Sequence, residues 1–363
     1  MRATAAARPL VGGPSPGRAT LVIGAGIGLV VVAALAAVAA GSVDVGLAET
    51  IGIIGQRLGL PVTPTWDSTA PTILFEVRLP RVLAGVLVGA GLGCAGVVFQ
   101  ALLRNPMADP YVIGAAAGAS LGAVLAITAP IVLPILAVGA GTAWLGIGLA
   151  QVMAFLGALG AVALVLAVAR QDGRSSMVTL LLTGYAVSSL IAAGVALLLV
   201  SSGRALASVV GWLLGSLGGT GYPELAVAAP LVLGGSALLL MRWRTLNLLL
   251  LGDEAAAGRG VDLVSARRGL VLLATVVTSA AVALAGTIGF VGLVVPHLVR
   301  LAIGPDHRLL LPMSCLGGAA LLVTADLAAR LVGGVPVGVV TALIGAPFFL
   351  WLLHRSATAV TTP

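Results

Sequence analysis

The chain has 363 residues, of which 60% are hydrophobic and only 9% are charged, whereas a soluble domain carries about 25% charged residues. So few charges cannot cover a soluble surface of this size, and the composition predicts a polytopic membrane protein. All 19 basic residues are arginines, against 12 acids. They occur singly or in pairs between apolar runs, which argues against the continuous basic stripe of a nucleic-acid-binding protein.

Apolar runs bounded by Arg, Pro or acidic residues predict an all-α transmembrane bundle of about ten helices. The first run is similar to a signal peptide, but its 22 residues (19–40) exceed an h-region of 7–15, so we predict an uncleaved membrane helix. The eighth run is too short to cross alone and is predicted to pack inside the bundle as a half-spanning helix. The predicted spans are 19–41, 80–102, 111–129, 144–169, 177–200, 225–241, 268–288, 290–302, 309–331 and 337–354.

The distribution of arginine predicts the orientation of the chain. With the N-terminus in the cytoplasm and alternating spans, 14 arginines fall on the inner side and five on the outer side, as the positive-inside rule expects. We therefore predict a cytoplasmic tail at 1–18, a transmembrane domain at 19–355, and a second cytoplasmic tail at 356–363. The five outer arginines are Arg57, Arg78, Arg81, Arg204 and Arg330.

A charged segment interrupts the second half of the chain on the predicted inner side. Residues 252–268 read GDEAAAGRGVDLVSARR, within a cytoplasmic loop of about 246–268. Asp253 and Glu254 stand where a short helix would begin, and acids are favoured at that positive end. The segment is either a docking surface for a separate motor or only a solvated linker.

Glycines recur every fourth residue in two of the runs, at Gly85, Gly89 and Gly93 and at Gly114, Gly118 and Gly122. This spacing places each set on one helix stripe, which predicts close backbone packing; lining a pore is the alternative. Cys94 and Cys315 lie in apolar runs outside any CxxC motif, and the three histidines stand alone, so no disulfide framework or metal site is predicted. The sequence contains no GxxxxGK[ST] motif, so no nucleotide-hydrolysing site is predicted in this chain.

Three long stretches carry a family resemblance. They are residues 78–123, which contain RNPMADP, residues 285–312, which contain GFVGLVVPHLVR, and residues 325–353, which contain ADLAARLVGGVPVG. Together they resemble the FecCD-type permease subunits of ABC importers for iron–siderophores, haem and vitamin B12. Two positions depart from that family's pattern: Val335 replaces a common Glu, and Arg259 replaces the Leu of an LGV motif.

The resemblance implies the partners and the site residues. It implies ten helices per subunit, a permease dimer around one pathway (homodimer or paralogous heterodimer), two cytoplasmic ATPases that bind ATP, and an extracytoplasmic binding protein. No cofactor is implied for this chain. Binding-protein docking is expected at Arg78, Arg81 and Arg330, with lipid-headgroup anchoring as the alternative. A cytoplasmic gate is expected at Asn105, Pro106, Met107, Met177 and Val178, although the first three also fit an ordinary turn. ATPase coupling is expected at Asp253, Glu254, Arg259 and Arg267.

Asp326 and Arg330 are four residues apart, so we expect an intrahelical ion pair between them. The resulting prediction is a non-catalytic importer permease in a bacterial inner membrane. Ferric siderophore is the expected cargo, with haem or cobalamin as alternatives. A secondary transporter would place ionisable residues at its midplane, and a membrane enzyme would cluster His, Asp or Glu there; neither pattern is evident.

Overall fold

The computed structural model describes residues 16–41, 46–132, 148–169 and 177–361. The described residues form fourteen α-helices and no strand. The helices are α1 (Pro16–Ala39), α2 (Leu47–Arg57), α3 (Ala70–Leu102), α4 (Ala115–Val132), α5 (Leu149–Val168), α6 (Met177–Ser201), α7 (Leu206–Leu213), α8 (Tyr222–Met241), α9 (Trp243–Leu250), α10 (Asp253–Ala257), α11 (Leu263–Ala285), α12 (Val291–Ile303), α13 (His307–Leu331) and α14 (Val337–Thr361). Short 3₁₀ helices cover Pro110–Ile113 and Gly203–Ala205.

Ten of these helices correspond to the ten predicted runs, which confirms the polytopic helical bundle. By length and composition, α1, α3, α5, α6, α8, α11 and α13 can cross a membrane, and α4, α12 and α14 are shorter apolar helices. The short helix α12 has 13 residues, so it is about 20 Å long, against about 30 Å of hydrocarbon. It packs against α3, α13 and α14, as predicted for a half-spanning helix.

The structure differs from the predicted boundaries at α3. This helix begins at Ala70, ten residues before the predicted start, and passes through a π-helical stretch at Ile73–Arg78. Glu76 and Arg78 made this stretch look like the end of a span. Arg78 is instead buried against α1, so the helix continues through it. The sequence also gave no signal for α2, α7 and α9, which lie between the long apolar runs.

The bundle is organised around α3. In its most apolar 18-residue window, 83% of the residues are buried, against 17% for α6 and 22% for α1. Helices α8, α11, α12 and α13 surround α3. At one end of α3, the Gln100 amide donates to Leu293 O (3.1 Å) and its carbonyl accepts from Arg300 Nη2 (2.9 Å). The central helix is therefore tied to the short helix α12 by a polar contact inside the bundle.

Two of the three glycines spaced by four in α3, Gly89 and Gly93, pack against backbone as predicted, whereas a Cβ at Gly85 would meet the side chain of Val323 first, at 3.1 Å. A Cβ at Gly89 would lie 2.2 Å from Gly318 O, and one at Gly93 would lie 2.1 Å from Ser314 O. A Cβ at Gly96 would lie 1.9 Å from Gly292 O. Pro296 lies four residues after Gly292 and has no N–H, so Gly292 O lacks the usual helical hydrogen bond from that position. A side chain at residue 96 would point at this carbonyl.

The second glycine set behaves in two ways. Gly118 and Gly122 lie against the backbone of α5, because a Cβ there would approach Gly157 O to 2.2 Å and Met153 O to 1.9 Å. Gly114 does not share this role. Its φ of +88° ends the 3₁₀ helix Pro110–Ile113 just before α4, and a left-handed backbone favours glycine.

Candidate functional site

One end of the bundle holds a cluster of buried and half-buried charges, which we call the arginine cluster: Arg78, Arg81, Asp326 and Arg330. Asp326, on α13, is 2% exposed. The guanidinium of Arg81, on α3, binds both carboxylate oxygens of Asp326. Nε donates to Oδ1 at 3.1 Å and to Oδ2 at 2.9 Å, and Nη2 donates to Oδ1 at 2.8 Å. Arg330 Nε lies 3.2 Å from Asp326 Oδ2, one helical turn away. The spacing of four thus brings Asp326 and Arg330 together. It gave no indication of Arg81, which is 245 residues distant in the chain.

Two arginines of this cluster cap the end of α1. Arg78 Nη1 donates to Val38 O and Ala39 O, both at 2.8 Å. Arg330 donates from Nη2 to Ala37 O (2.8 Å) and from Nη1 to Ala40 O (3.0 Å). The last carbonyls of a helix have no partner within the helix, and cationic donors satisfy both their hydrogen bonds and the helix dipole.

Capping limits how these arginines can meet another protein. Arg78 is 4% exposed, and the side chain of Arg330 is 8% exposed, against 20% for Arg81. A partner carboxylate could engage Arg78 or Arg330 only by competing with the carbonyls of α1. Their role in docking therefore stays a prediction. If they do bind a partner, they must release the end of α1.

At the opposite end of α3, the predicted gate residues form a turn. Leu102 ends the helix, Arg104 adopts a left-handed φ of +44°, and Asn105 Oδ1 accepts from the N–H of Met107 at 2.9 Å. Asn105 and Pro106 are exposed and Met107 is half-buried. The gate assignment stays a prediction. α6 begins at Met177, but the side chains of Met177 and Val178 lie outside the described residues.

The chain after this turn is anchored to the break between α11 and α12. Asp109 accepts from the N–H of Tyr111 (2.9 Å) at the start of the 3₁₀ helix. Desolvation raises the pKa of Asp109 to about 6, although the hydrogen bond from Tyr111 lowers it. The hydroxyl of Tyr111 donates to Ile288 O at 3.0 Å. The turn is thus linked by one aromatic side chain to the entry of the half-spanning helix.

We call residues 243–262, which contain α9 and α10, the connecting segment. Asp253, the first residue of α10, accepts from Arg267 Nη2 at 2.7 Å and also from the guanidinium of Arg104. One carboxylate therefore joins the connecting segment to the start of α11 and to the gate turn. Arg104 was not among the predicted site residues, because it lies 149 residues from Asp253. Glu254 and Arg259 are exposed, and Arg259 donates to Ala255 O at 3.0 Å.

A second polar contact joins the connecting segment to α13. Asn247 Oδ1 lies 2.9 Å from the backbone nitrogen of His307 and 2.8 Å from His307 Nδ1. The Asn247 amide donates to Asp306 Oδ1 at 2.7 Å, and Asp306 caps α13 by accepting from the N–H of Arg308. His307 is 1% exposed. The role of Asn247 in this contact was not predicted either, because a single Asn in an apolar stretch belongs to no recognisable motif.

A helical bundle with several helices that can cross a membrane, buried charges at one end and a charged segment held by side-chain contacts at the other has the architecture of a polytopic membrane protein. Among the described residues, no three His, Cys, Asp or Glu side chains lie close enough together to hold a metal ion. Residues 29–355 match the FecCD transport family, and the chain belongs to that family.

Curated relatives include three import permeases. The chain is 49% identical over 287 residues to the cobalamin import system permease BtuC of Halobacterium salinarum, covering 79% of this chain and 74% of that protein. It is 40% identical to the hemin transport system permease HmuU of Yersinia pestis, covering 82% and 89%. It is also 40% identical to the Fe(3+) dicitrate permease FecD of Escherichia coli, covering 78% and 85%.

A solved structure has the same architecture. A protein assigned as a metal-chelate type ABC transporter, in an inward-facing conformation, superposes with a TM-score of 0.77 at 31% identity. The match covers 93% of this chain and 99% of that one. The chain is thus a permease of the ABC importer family.

Proposed function

We propose that this chain is the membrane-spanning subunit of an ATP-driven, binding-protein-dependent importer of bulky metal complexes. The observation that carries the proposal is the family match over residues 29–355. Two copies, or this chain and a paralogue, would form the pathway. Two cytoplasmic ATPases would supply the energy, and an extracytoplasmic binding protein would deliver the cargo. The bundle would lie in the inner membrane with both termini in the cytoplasm, as the arginine distribution favours.

The contacts of the connecting segment support a role in coupling to the ATPases. Asp253 joins it to α11 and to the turn after α3, and Asn247 joins it to α13. Leu246 and Ala256 are both 0% exposed, so apolar side chains also anchor the segment. A motor pressing on the exposed Glu254 and Arg259 would displace three membrane helices through these contacts. Movement of the turn at Asn105–Met107 would then open the cytoplasmic gate.

Cobalamin is the cargo that we propose first. The 49% identity to a cobalamin permease exceeds the 40% to the hemin and Fe(3+) dicitrate permeases, over similar shares of the chain. A ferric siderophore, which the sequence resemblance alone favours, is the second candidate. Both are large metal complexes, and selection between them can reside in the binding protein.

Uptake by the complete importer tests the cargo. The permease, its ATPase and its binding protein are expressed together in a strain without other uptake systems. Transport of cyanocobalamin, haemin, ferric citrate and a ferric hydroxamate is then measured. We expect saturable uptake of cyanocobalamin that is lost when the binding protein is deleted. Uptake of only ferric citrate or the ferric hydroxamate would replace cobalamin by a ferric chelate of the siderophore type, and uptake of only haemin would replace it by haem. Uptake of none of the four would contradict the proposed cargo class.

A further inference from the structure

Two guanidinium groups from different helices share one indole ring at the end of the bundle that holds the connecting segment. Arg244 Cζ, on α9, lies 5.2 Å from the centroid of the Trp243 ring. Arg308 Cζ, on α13, lies 6.0 Å from the same centroid. The two Cζ atoms are therefore at most 11.2 Å apart, and Arg242 precedes the tryptophan in the chain. We call Arg242, Trp243, Arg244 and Arg308 the Trp243 patch.

The positive charges of the Trp243 patch are not balanced. Arg242, Arg244 and Arg308 are exposed, and no carboxylate of the described residues forms an ion pair with any of them. The nearest acid in sequence, Asp306, already accepts from the Asn247 amide and from the N–H of Arg308. Like charges held this close repel one another, so an added anion would be stabilised here.

A partly buried polar contact links the two helices that carry Trp243, Arg244 and Arg308. Asn247 and His307 join α9 to the start of α13, which are the two helices that carry Arg244 and Arg308. His307 is 1% exposed, and Leu246 is 0% exposed. The fold thus holds the two helices that carry Arg244 and Arg308 in place before any ligand arrives, which lowers the entropic cost of binding.

Apolar side chains next to the patch face outward from the bundle. Met241 at the end of α8 is 74% exposed, and Leu238, one turn earlier, is 50% exposed. Side chains of this kind at the surface of a membrane-spanning bundle contact acyl chains. The patch therefore lies at the edge of the hydrocarbon-facing surface, where tryptophan is also enriched.

We propose that the Trp243 patch binds the phosphate of an anionic phospholipid. Guanidinium groups bind phosphate oxygens in a bidentate manner, and basic pockets between membrane helices on the cytoplasmic side suit such headgroups. Leu238 and Met241, which are exposed on the turn of α8 just before Arg242, give the acyl chains a surface. An acidic protein surface would use the charges but not the apolar rim, so the lipid fits both halves of the site. Because α9 carries Asn247 and leads into α10, a bound lipid would also steady the connecting segment.

Lipid binding to the purified permease alone tests this proposal independently of any transport activity. Native mass spectrometry in detergent measures the affinity for phosphatidylglycerol and, as a neutral reference, phosphatidylcholine. The test variant is Arg244→Gln with Arg308→Gln. The matched control is Arg18→Gln with Arg268→Gln, which removes the same charge from two other exposed arginines. The thermal unfolding midpoint of each variant verifies the fold.

We expect the wild type to prefer phosphatidylglycerol, and the test variant to bind it about tenfold more weakly. The control should change by less than about twofold, and binding should weaken in 0.5 M salt, where the Debye length is roughly 4 Å. Inorganic phosphate at the lipid concentration should not compete, since it lacks acyl chains. Unchanged affinity in a folded test variant, an equal loss in the control, or displacement by inorganic phosphate would overturn the proposal. Intact lipid binding with loss of ATPase association would instead identify the patch as a protein interface.

Discussion

Replacing Gly89 by alanine should force α3 and α13 apart. A Cβ at Gly89 would lie 2.2 Å from Gly318 O, 1.2 Å short of the 3.4 Å at which ordinary contact begins. It would also lie 2.6 Å from Gly318 C and 2.9 Å from Ala319 Cα. All three atoms belong to the backbone of α13, so no side chain can rotate away. Inserting a methyl group into such a contact costs about 1–3 kcal/mol, and we expect the upper end here because two helices must move.

The measurement is thermal unfolding of the permease in nanodiscs, together with uptake by the complete importer. Gly234→Ala is the matched control, because Gly234 lies in α8, is exposed, and has no heavy atom within 4 Å of the added Cβ. Alanine should be tolerated there, since it favours the helix over glycine. We expect Gly89→Ala to lower the unfolding midpoint by several degrees and Gly234→Ala to leave it unchanged. Equal midpoints for the two variants would refute the inferred backbone contact.

Three further predictions follow from the charged contacts. Asp326→Ala should destabilise the fold by about 3–5 kcal/mol, because it leaves buried arginines without a carboxylate; adding Arg81→Ala should recover part of that loss in a double-mutant cycle of thermal unfolding, and strict additivity would contradict the pairing. Asp253→Arg should lower transport per ATP hydrolysed, and the exchange with Arg104→Glu should restore part of it; an exchange with no recovery would show that this pair does not carry coupling. Arg330→Gln, which keeps a donor for the carbonyls of α1, should weaken binding-protein docking about tenfold at low salt, and unchanged affinity would leave Arg330 with capping alone.

The sequence predicts the ten main helices because the length of an apolar run and its polar flanks depend only on neighbouring residues. The same holds for the close packing of Gly89 and Gly93, since a spacing of four defines a stripe on any helix. The role of Arg78 could not be predicted in this way. An arginine at the end of a span has the same sequence signature whether it faces a partner or folds back onto α1.

Contacts between distant segments explain the remaining differences. The Arg81–Asp326 and Arg104–Asp253 pairs join residues 245 and 149 positions apart. No local pattern in a single sequence indicates that such distant residues are in contact. Asn247 likewise has no motif, and only the packing of α9 against α13 shows that it is a junction. The candidate site could therefore be predicted as a set of charged residues, but not as a set of connections between helices.

We propose that ATP hydrolysis by partner subunits drives import through this chain. Transport into proteoliposomes that contain the permease and its ATPase tests this mechanism. The ATPase faces the lumen, which holds ATP, and binding protein loaded with cyanocobalamin is added outside. We expect accumulation of cargo that requires both ATP and the binding protein, and no accumulation with a non-hydrolysable analogue. Accumulation driven by an imposed proton or sodium gradient in the absence of nucleotide would contradict ATP-driven import.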